Sequence, residues 1–150
     1  MVRLITTEHV ALDLVSQERR SAIASLTDLL ASAGRVTDSA AFIADVEYRE
    51  SQLATGLPGG VAIPHARSVA VTEPSVAFGR CVGGVDWGSV DGPADLIFLI
   101  AVPFGAPTDH LAILAKLARR LTHTDFRGQL RTFTDAVAVA DLIQEALEQS

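Results

Sequence analysis

A chain of 150 residues, 49% of them hydrophobic and 20% charged, is long enough to close one packed domain and too apolar to stay disordered. A net charge of −6, with no Lys/Arg-dense run, excludes a general nucleic-acid binder, which needs a basic stripe. The single cysteine, Cys81, excludes an internal disulfide and a thiolate metal cluster.

Arg3-Leu4-Ile5 is expected as a short first strand, and the N-terminus lacks the apolar core of a signal peptide. Ser16 is the expected N-cap of a helix carrying Ile23, Leu26, Leu29 and Leu30, which a left-handed Gly34 closes. Thr37 or Asp38 starts a second helix through Phe42, Ile43, Val46 and Leu53, with Tyr48-Arg49-Glu50-Ser51 in its last turns. Gly56-Leu57-Pro58-Gly59-Gly60 reads as a loop on composition.

Strands are expected at Val61–Ile63, Ser75–Val82 and Ala94–Val102, with a turn-rich connection from Gly83 to Pro93. Leu96-Ile97-Phe98-Leu99-Ile100 is apolar on both faces, so the last strand belongs mid-sheet. Thr108 or Asp109 caps a helix with Leu111, Leu114, Leu117, Ala118 and Leu121 on one face. Thr124-Asp125 and Thr134-Asp135 cap two short terminal helices. The order β-α-α-β-β-β-α-α-α predicts an α/β fold, a three-layer α/β/α sandwich around a mixed β-sheet. With no repeat, low-complexity tract or dividing linker, residues 1–150 are expected to form a single domain. The longest apolar run, Leu96 to Val102, is too short to cross a bilayer, so a soluble cytoplasmic protein without membrane insertion is expected.

The chemistry concentrates in Gly60-Val61-Ala62-Ile63-Pro64-His65-Ala66-Arg67. Val61, Ala62 and Ile63 read as a buried strand edge, and Pro64, lacking an N–H, is expected to end the ladder and turn the chain. The side chain delivered next is an imidazole, which can serve as nucleophile, leaving group and proton carrier near neutral pH. His110 opens a later helix, where the macrodipole favours a neutral ring and N–H groups face an anion; the plainer reading is a surface histidine. Arg49 reads either as a solvated helix-end cation or as a bidentate donor to phosphate.

Glu50 reads as a surface residue or as a partner orienting Arg49, while His9 and His123 have no supporting context. Cys81 reads as a small buried hydrophobe. There is no His-Glu-x-x-His, Cys pair or His triplet at ligand spacing, so no metal and no cofactor is expected. A hydrolytic triad lacks its Gly-x-Ser-x-Gly elbow, and nucleotide binding lacks both Gly-x-Gly-x-x-Gly and a Walker lysine loop.

The run from Arg49 to Arg67 resembles the active-site signature of enzyme IIA of the phosphoenolpyruvate-dependent sugar phosphotransferase system, fructose/mannitol class. Asp91 to Pro103 and His110 to Ala118 resemble the same family's second block, so the resemblance covers nearly the whole chain. It implies an α/β/α fold and a phosphoryl relay. HPr would phosphorylate the histidine, a cysteine of enzyme IIB would accept the group, and sugar would enter through the membrane enzyme IIC. His65 matches the family's nucleophile, and His110 and Arg49 match the side chains near the phosphoryl group.

Ala66 stands where nitrogen-regulatory and mannitol members often carry Gly, and with the Gly-Leu-Pro-Gly-Gly approach it resembles the fructose branch. Cys81 is followed by Val-Gly-Gly rather than Pro-Thr, so the acceptor cysteine is expected on another polypeptide. The alternative within the resemblance is a regulatory, nitrogen-type phospho-switch that binds partners according to its phosphorylation state. Transfer between two side chains needs an in-line approach and donors for three equatorial oxygens, and neither a nucleotide nor a metal.

Overall fold

The central strand of the sheet carries large apolar side chains on both faces, and helices cover each face in turn. The computed structural model describes residues 3–89, 92–105 and 110–148, with residues 110 and 111 as backbone. Among them the strands are β1 (Val10–Ala11), β2 (Gly56–Leu57), β3 (Val61–Ala62), β4 (His65–Ser68), β5 (Ser75–Val85) and β6 (Ala94–Pro103). The helices are α1 (Arg19–Ser32), α2 (Ser39–Gln52), α3 (His110–Arg120), α4 (Thr124–Thr132) and α5 (Ala136–Glu148). The strand order is β1-β5-β6-β3-β2, with β4 also on β6. β1, β3 and β4 run parallel to their partners, whereas β5–β6 and β2–β3 are antiparallel.

The alternation of side chains along β5 and β6 sorts the core into two layers. Val76, Phe78, Leu96, Phe98, Ile100 and Val102 pack with α3, α4 and α5, and Phe78 meets Phe98 across the ladder at 5.0 Å between ring centroids. Ala77, Cys81, Ile97, Leu99 and Ala101 face α1 and α2, together with Ala62 and Ala66. The expected three-layer α/β/α sandwich around a mixed sheet is the observed fold.

Helix ends follow local chemistry. Gly34, at φ +78°, closes α1 with Arg35 N donating to Leu30 O at 2.8 Å and Gly34 N to Ala31 O at 3.1 Å, the two bonds of a Schellman cap. Asp38 caps α2 by accepting from Ala41 N at 3.1 Å, and Asp135 Oδ1 accepts from Val137 N at 3.0 Å at the start of α5. At α1 the N-cap is Glu18 rather than Ser16, whose hydroxyl donates to Glu18 O at 2.9 Å. At α4 the cap position is His123, without a side-chain bond, rather than Thr124 or Asp125. The caps expected at Thr108 or Asp109 lie outside the described residues.

Several strand expectations change. Arg3-Leu4-Ile5 is not a strand: Leu4 O accepts from Val76 N at 2.7 Å, but Leu4 N and Ile5 N both donate to the Gln144 side chain of α5. The first strand is Val10–Ala11 instead. Gly56–Leu57, expected as loop, pairs with β3, and the chain between them turns at Gly59 and Gly60, with φ of +90° and +78°. A Cβ on Gly60 would lie 2.7 Å from Asp95 Oδ1, so the turn needs glycine there for space as well as for φ. β5 runs on to Val85, past the expected end at Val82, through an irregularity between Arg80 and Val85.

Pro64 does not turn the chain away. Val61, Ala62 and His65 pair with Leu96, Ile97 and Ile100, one unbroken register on β6. Pro64 O accepts from Ile100 N at 3.0 Å, but the ring has no N–H to return, so the ladder skips a rung and resumes.

His9 is a structural histidine, 1% exposed, with Nδ1 donating to Val76 O at 3.1 Å. Burial, and secondarily the Arg35 charge, hold its pKa below the ordinary histidine value. The unfolded chain therefore takes up a proton below about pH 6.5 that the folded chain refuses, and stability falls as pH drops through that value. Denaturant unfolding at about pH 7.5 and 5.5 should show this loss in the wild type, with a limiting slope of about 1.4 kcal/mol per pH unit, and a smaller loss in His9→Gln. An identical loss in the variant would remove His9 as its source.

Candidate active site

β4, α2 and α3 converge on a cleft of about 300 Å³ lined by Asp45, Tyr48, Arg49, His65, Ala66, Arg67 and Leu114. The helical period explains the α2 contribution, since Asp45, Tyr48 and Arg49 sit at i, i+3 and i+4 and share one face. The adjoining stripe of the same helix, Phe42, Val46 and Glu50, is buried. α2 thus presents a polar wall to the cleft while its other stripe anchors it to the sheet.

His65 is the first residue of β4 and is half-buried. Successive peptide groups alternate sides along a strand, so Ile63 faces away from β6. Its N–H donates to Thr55 O at 3.1 Å, and its carbonyl, beyond the end of the two-residue β2, accepts from His65 Nδ1 at 2.9 Å. A carbonyl oxygen can only accept, so Nδ1 carries a proton, and in the neutral form of the ring the lone pair is on Nε2.

Two guanidinium groups share the cleft. Arg49 is exposed and no described carboxylate pairs with it, while Arg67 Nη2 donates to Phe104 O at 3.2 Å. That bond ties β4 to the end of β6. The cleft also holds the Asp45 carboxylate and the exposed Tyr48 ring. A half-buried imidazole beside two planar cations suits a dianionic ligand with several equatorial oxygens.

Of the three residues expected from sequence, the structure brings His65 and Arg49 together. His110 is the first residue of α3, as expected, but its side chain lies outside the described residues. The helix it opens carries Leu114 to the cleft wall. Glu50 is neither a surface residue nor a partner of Arg49: it is 5% exposed, and its carboxyl oxygens accept from Thr55 N at 2.8 Å and Thr55 Oγ1 at 2.5 Å. Asp45, Tyr48 and Arg67 were not singled out from sequence, although the spacing of Asp45 and Tyr48 from Arg49 on a helix carries the signal. Cys81 is buried, its Sγ donating to Ser16 O at 3.2 Å. Among the described residues no three His, Cys, Asp or Glu side chains gather as a metal site, and no helix is long and apolar enough to cross a membrane.

Comparison with known proteins places this geometry. The family model "Phosphoenolpyruvate-dependent sugar phosphotransferase system, EIIA 2" matches residues 3–146. The fructose-specific EIIA component of Haloferax volcanii is 40% identical over 142 residues, covering 94% of this chain and 92% of that protein. The fructose-specific EIIABC component of Bacillus subtilis is 37% identical over 97% of this chain, which spans only 23% of that longer protein. The crystal structure of the nitrogen regulatory protein IIA-Ntr from Neisseria meningitidis superposes with a TM-score of 0.85 at 30% identity, covering 93% of this chain and 96% of that one. The chain therefore belongs to the EIIA type-2 family of the phosphoenolpyruvate-dependent sugar phosphotransferase system.

Proposed function

We propose that residues 1–150 form one cytoplasmic EIIA domain that accepts a phosphoryl group from phospho-HPr on Nε2 of His65 and passes it to a cysteine of an enzyme IIB in fructose-type uptake. The observation that carries this reading is the bond from His65 Nδ1 to Ile63 O, which leaves Nε2 as the nucleophilic nitrogen. The fructose-specific names of the relatives from Haloferax volcanii and Bacillus subtilis support the sugar class, and the latter's EIIABC name supports an EIIB partner.

In the first step the Nε2 lone pair forms the new N–P bond while the donor's N–P bond breaks, its electron pair returning to the donor imidazole. In the second, an EIIB thiolate forms an S–P bond and the Nε2–P pair returns to His65. Nδ1 keeps its proton throughout, so the group leaving in the second step is a neutral imidazole, with the Ile63 carbonyl stabilising the cationic phosphorylated ring between the steps. Arg49 would bind equatorial oxygens, with His110 completing the donors, and positioning and charge supply most of the catalysis in such transfers. Tyr48, 69% exposed on the cleft wall, offers a partner an apolar contact.

The likeness to IIA-Ntr favours a second reading, in which the same phosphorylation controls binding to regulated partners rather than sugar uptake. Phosphoryl transfer to an EIIB cysteine and growth on fructose support transport; phosphorylation-dependent partner binding without uptake supports regulation.

Incubation with phosphoenolpyruvate, enzyme I and HPr should add the mass of one acid-labile phosphoryl group to the wild type and none to His65→Ala. Uptake by the His65→Ala variant, or none by the wild type beside active upstream proteins, would defeat the assignment. Arg49→Ala should slow transfer roughly a hundredfold, as loss of one preorganised donor does, and Arg49→Lys should not restore it, because an ammonium lacks the planar fork. Rapid-quench transfer rates equal to wild type in Arg49→Ala would take Arg49 out of the site.

A further inference from the structure

Glu50 is an ionisable residue where the helix stripe asks for an apolar one. Phe42 and Val46 precede it at four-residue spacing, both fully buried, and Glu50 itself is 5% exposed. A carboxyl group there forgoes hydration that Leu would not need, and is retained where its hydrogen bonds achieve something packing cannot. Both of its oxygens act on a single residue. Oε2 accepts from Thr55 N at 2.8 Å and Oε1 from Thr55 Oγ1 at 2.5 Å, and Thr55 is itself 8% exposed.

The bonds continue in one direction. Thr55 O accepts from Ile63 N at 3.1 Å, and Ile63 O accepts from His65 Nδ1 at 2.9 Å. Thr55 directly precedes β2, which aligns Gly56 with Ala62 and Leu57 with Val61 but does not reach Ile63. The N–H and carbonyl of Ile63 face away from β6, and on that side Thr55 orients them. What holds Thr55 is the Glu50 carboxyl.

We propose that Glu50 is a positioning residue for His65: through Thr55 and Ile63 it aims the carbonyl that keeps the ring proton on Nδ1 and the lone pair on Nε2. The part played in phosphoryl transfer rests on the reading of His65 as the phosphoryl acceptor; the control of the tautomer does not. If the Ile63 carbonyl turns aside, nothing on this path retains the proton at Nδ1. The tautomer protonated at Nε2 then becomes populated, and in it the attacking lone pair is gone. Loss of an outer partner that orients a metal-bound histidine lowers affinity or activity roughly 10- to 100-fold, and a fall of that order is expected here.

The test compares wild type with Glu50→Leu, Glu50→Gln and Thr55→Val. Leu fits the apolar stripe and removes both bonds. Gln keeps both, its carbonyl accepting from Thr55 N and its amide donating to a rotated Thr55 hydroxyl. Thr55→Val removes the hydroxyl bond alone and serves where Glu50→Leu does not fold. Nitrogen-15 correlation spectra of the His65 ring, recorded at about pH 8.5 where imidazoles are neutral, report the tautomer without any donor protein.

The expected result is an Nδ1–H ring in wild type and Glu50→Gln, and a mixed-tautomer ring in Glu50→Leu, with an intermediate shift in Thr55→Val. Transfer from phospho-HPr should fall 10- to 100-fold in kcat with KM little changed in Glu50→Leu, and recover in Glu50→Gln. A folded Glu50→Leu with the wild-type ring spectrum overturns the proposal, whatever its transfer rate; where only Thr55→Val folds, a wild-type ring spectrum there does the same. A wild type that accepts no phosphoryl group overturns the acceptor reading instead, while the ring spectra still decide whether Glu50 governs the tautomer.

Discussion

The hydrogen bond from His65 Nδ1 to the carbonyl of Ile63 is the interaction on which the proposed chemistry of this chain depends. It converts an imidazole with two interchangeable nitrogens into a directed group with one lone pair. That bond exists because the donor opposite Ile63 is diverted. Ile63 faces away from β6 toward Thr55, whose N–H would reach the Ile63 carbonyl if the β2–β3 ladder ran on by one pair. Thr55 N donates instead to Glu50 Oε2 at 2.8 Å, so one backbone acceptor remains beside the histidine, while Pro64 omits one rung on β6. The uninterrupted register of β3 and β4 on β6 keeps that irregularity from propagating.

The rigidity behind the site comes from the two unlike faces of the sheet. The α3–α5 side is filled by large residues, Phe78 and Phe98 above all, while the α1–α2 side is lined with alanines at 62, 66, 77 and 101. Small side chains let α2 lie close along β4, and that proximity puts Arg49 and Tyr48 beside His65 in one cleft. On the adjoining side of the same helix, the Phe42–Val46–Glu50 stripe fixes its rotation. A helix rolled by one residue, about 100°, would carry Arg49 out of the cleft and Glu50 away from Thr55.

What was legible in the sequence was what short-range chemistry decides. Gly34 and Asp38 announce their caps, the doubly apolar run at Leu96–Ile100 announces the central strand, and Pro-His after a Gly-rich approach marks the candidate histidine of the cleft. What was hidden depended on partners distant in sequence. Arg3-Leu4-Ile5 has strand-like residues, yet its N–H groups go to Gln144, and only the packing of α5 reveals this. Gly56–Leu57 looks like loop because its pairing is dictated by the glycine turn that returns β3 alongside it. Pro64 suggested a turn because the missing N–H was weighed locally, whereas β6 holds both flanks in register. Glu50 reads as a surface residue or a partner of Arg49 when its charge is taken before its spacing. Its position four residues after Val46 and eight after Phe42 was the available signal.

A relay site has to hold its phosphoryl group less firmly than a binding site would, because the group must leave as readily as it arrives. The features of this cleft fit that demand. Arg49 is exposed, so water screens its charge and its attraction for a phosphoryl group stays moderate compared with a buried guanidinium. The cleft is shallow enough to leave Tyr48 largely in solvent, so an incoming partner, rather than a closing lid, would exclude water from the reacting atoms. In the proposed relay the carbonyl keeps the proton on Nδ1 through both steps, so neither acceptance nor release waits on a proton transfer at that nitrogen. Selectivity then falls to the arriving surface. In the proposed relay the intrinsic site is deliberately incomplete, and each partner that docks supplies the remaining desolvation for its own direction of transfer.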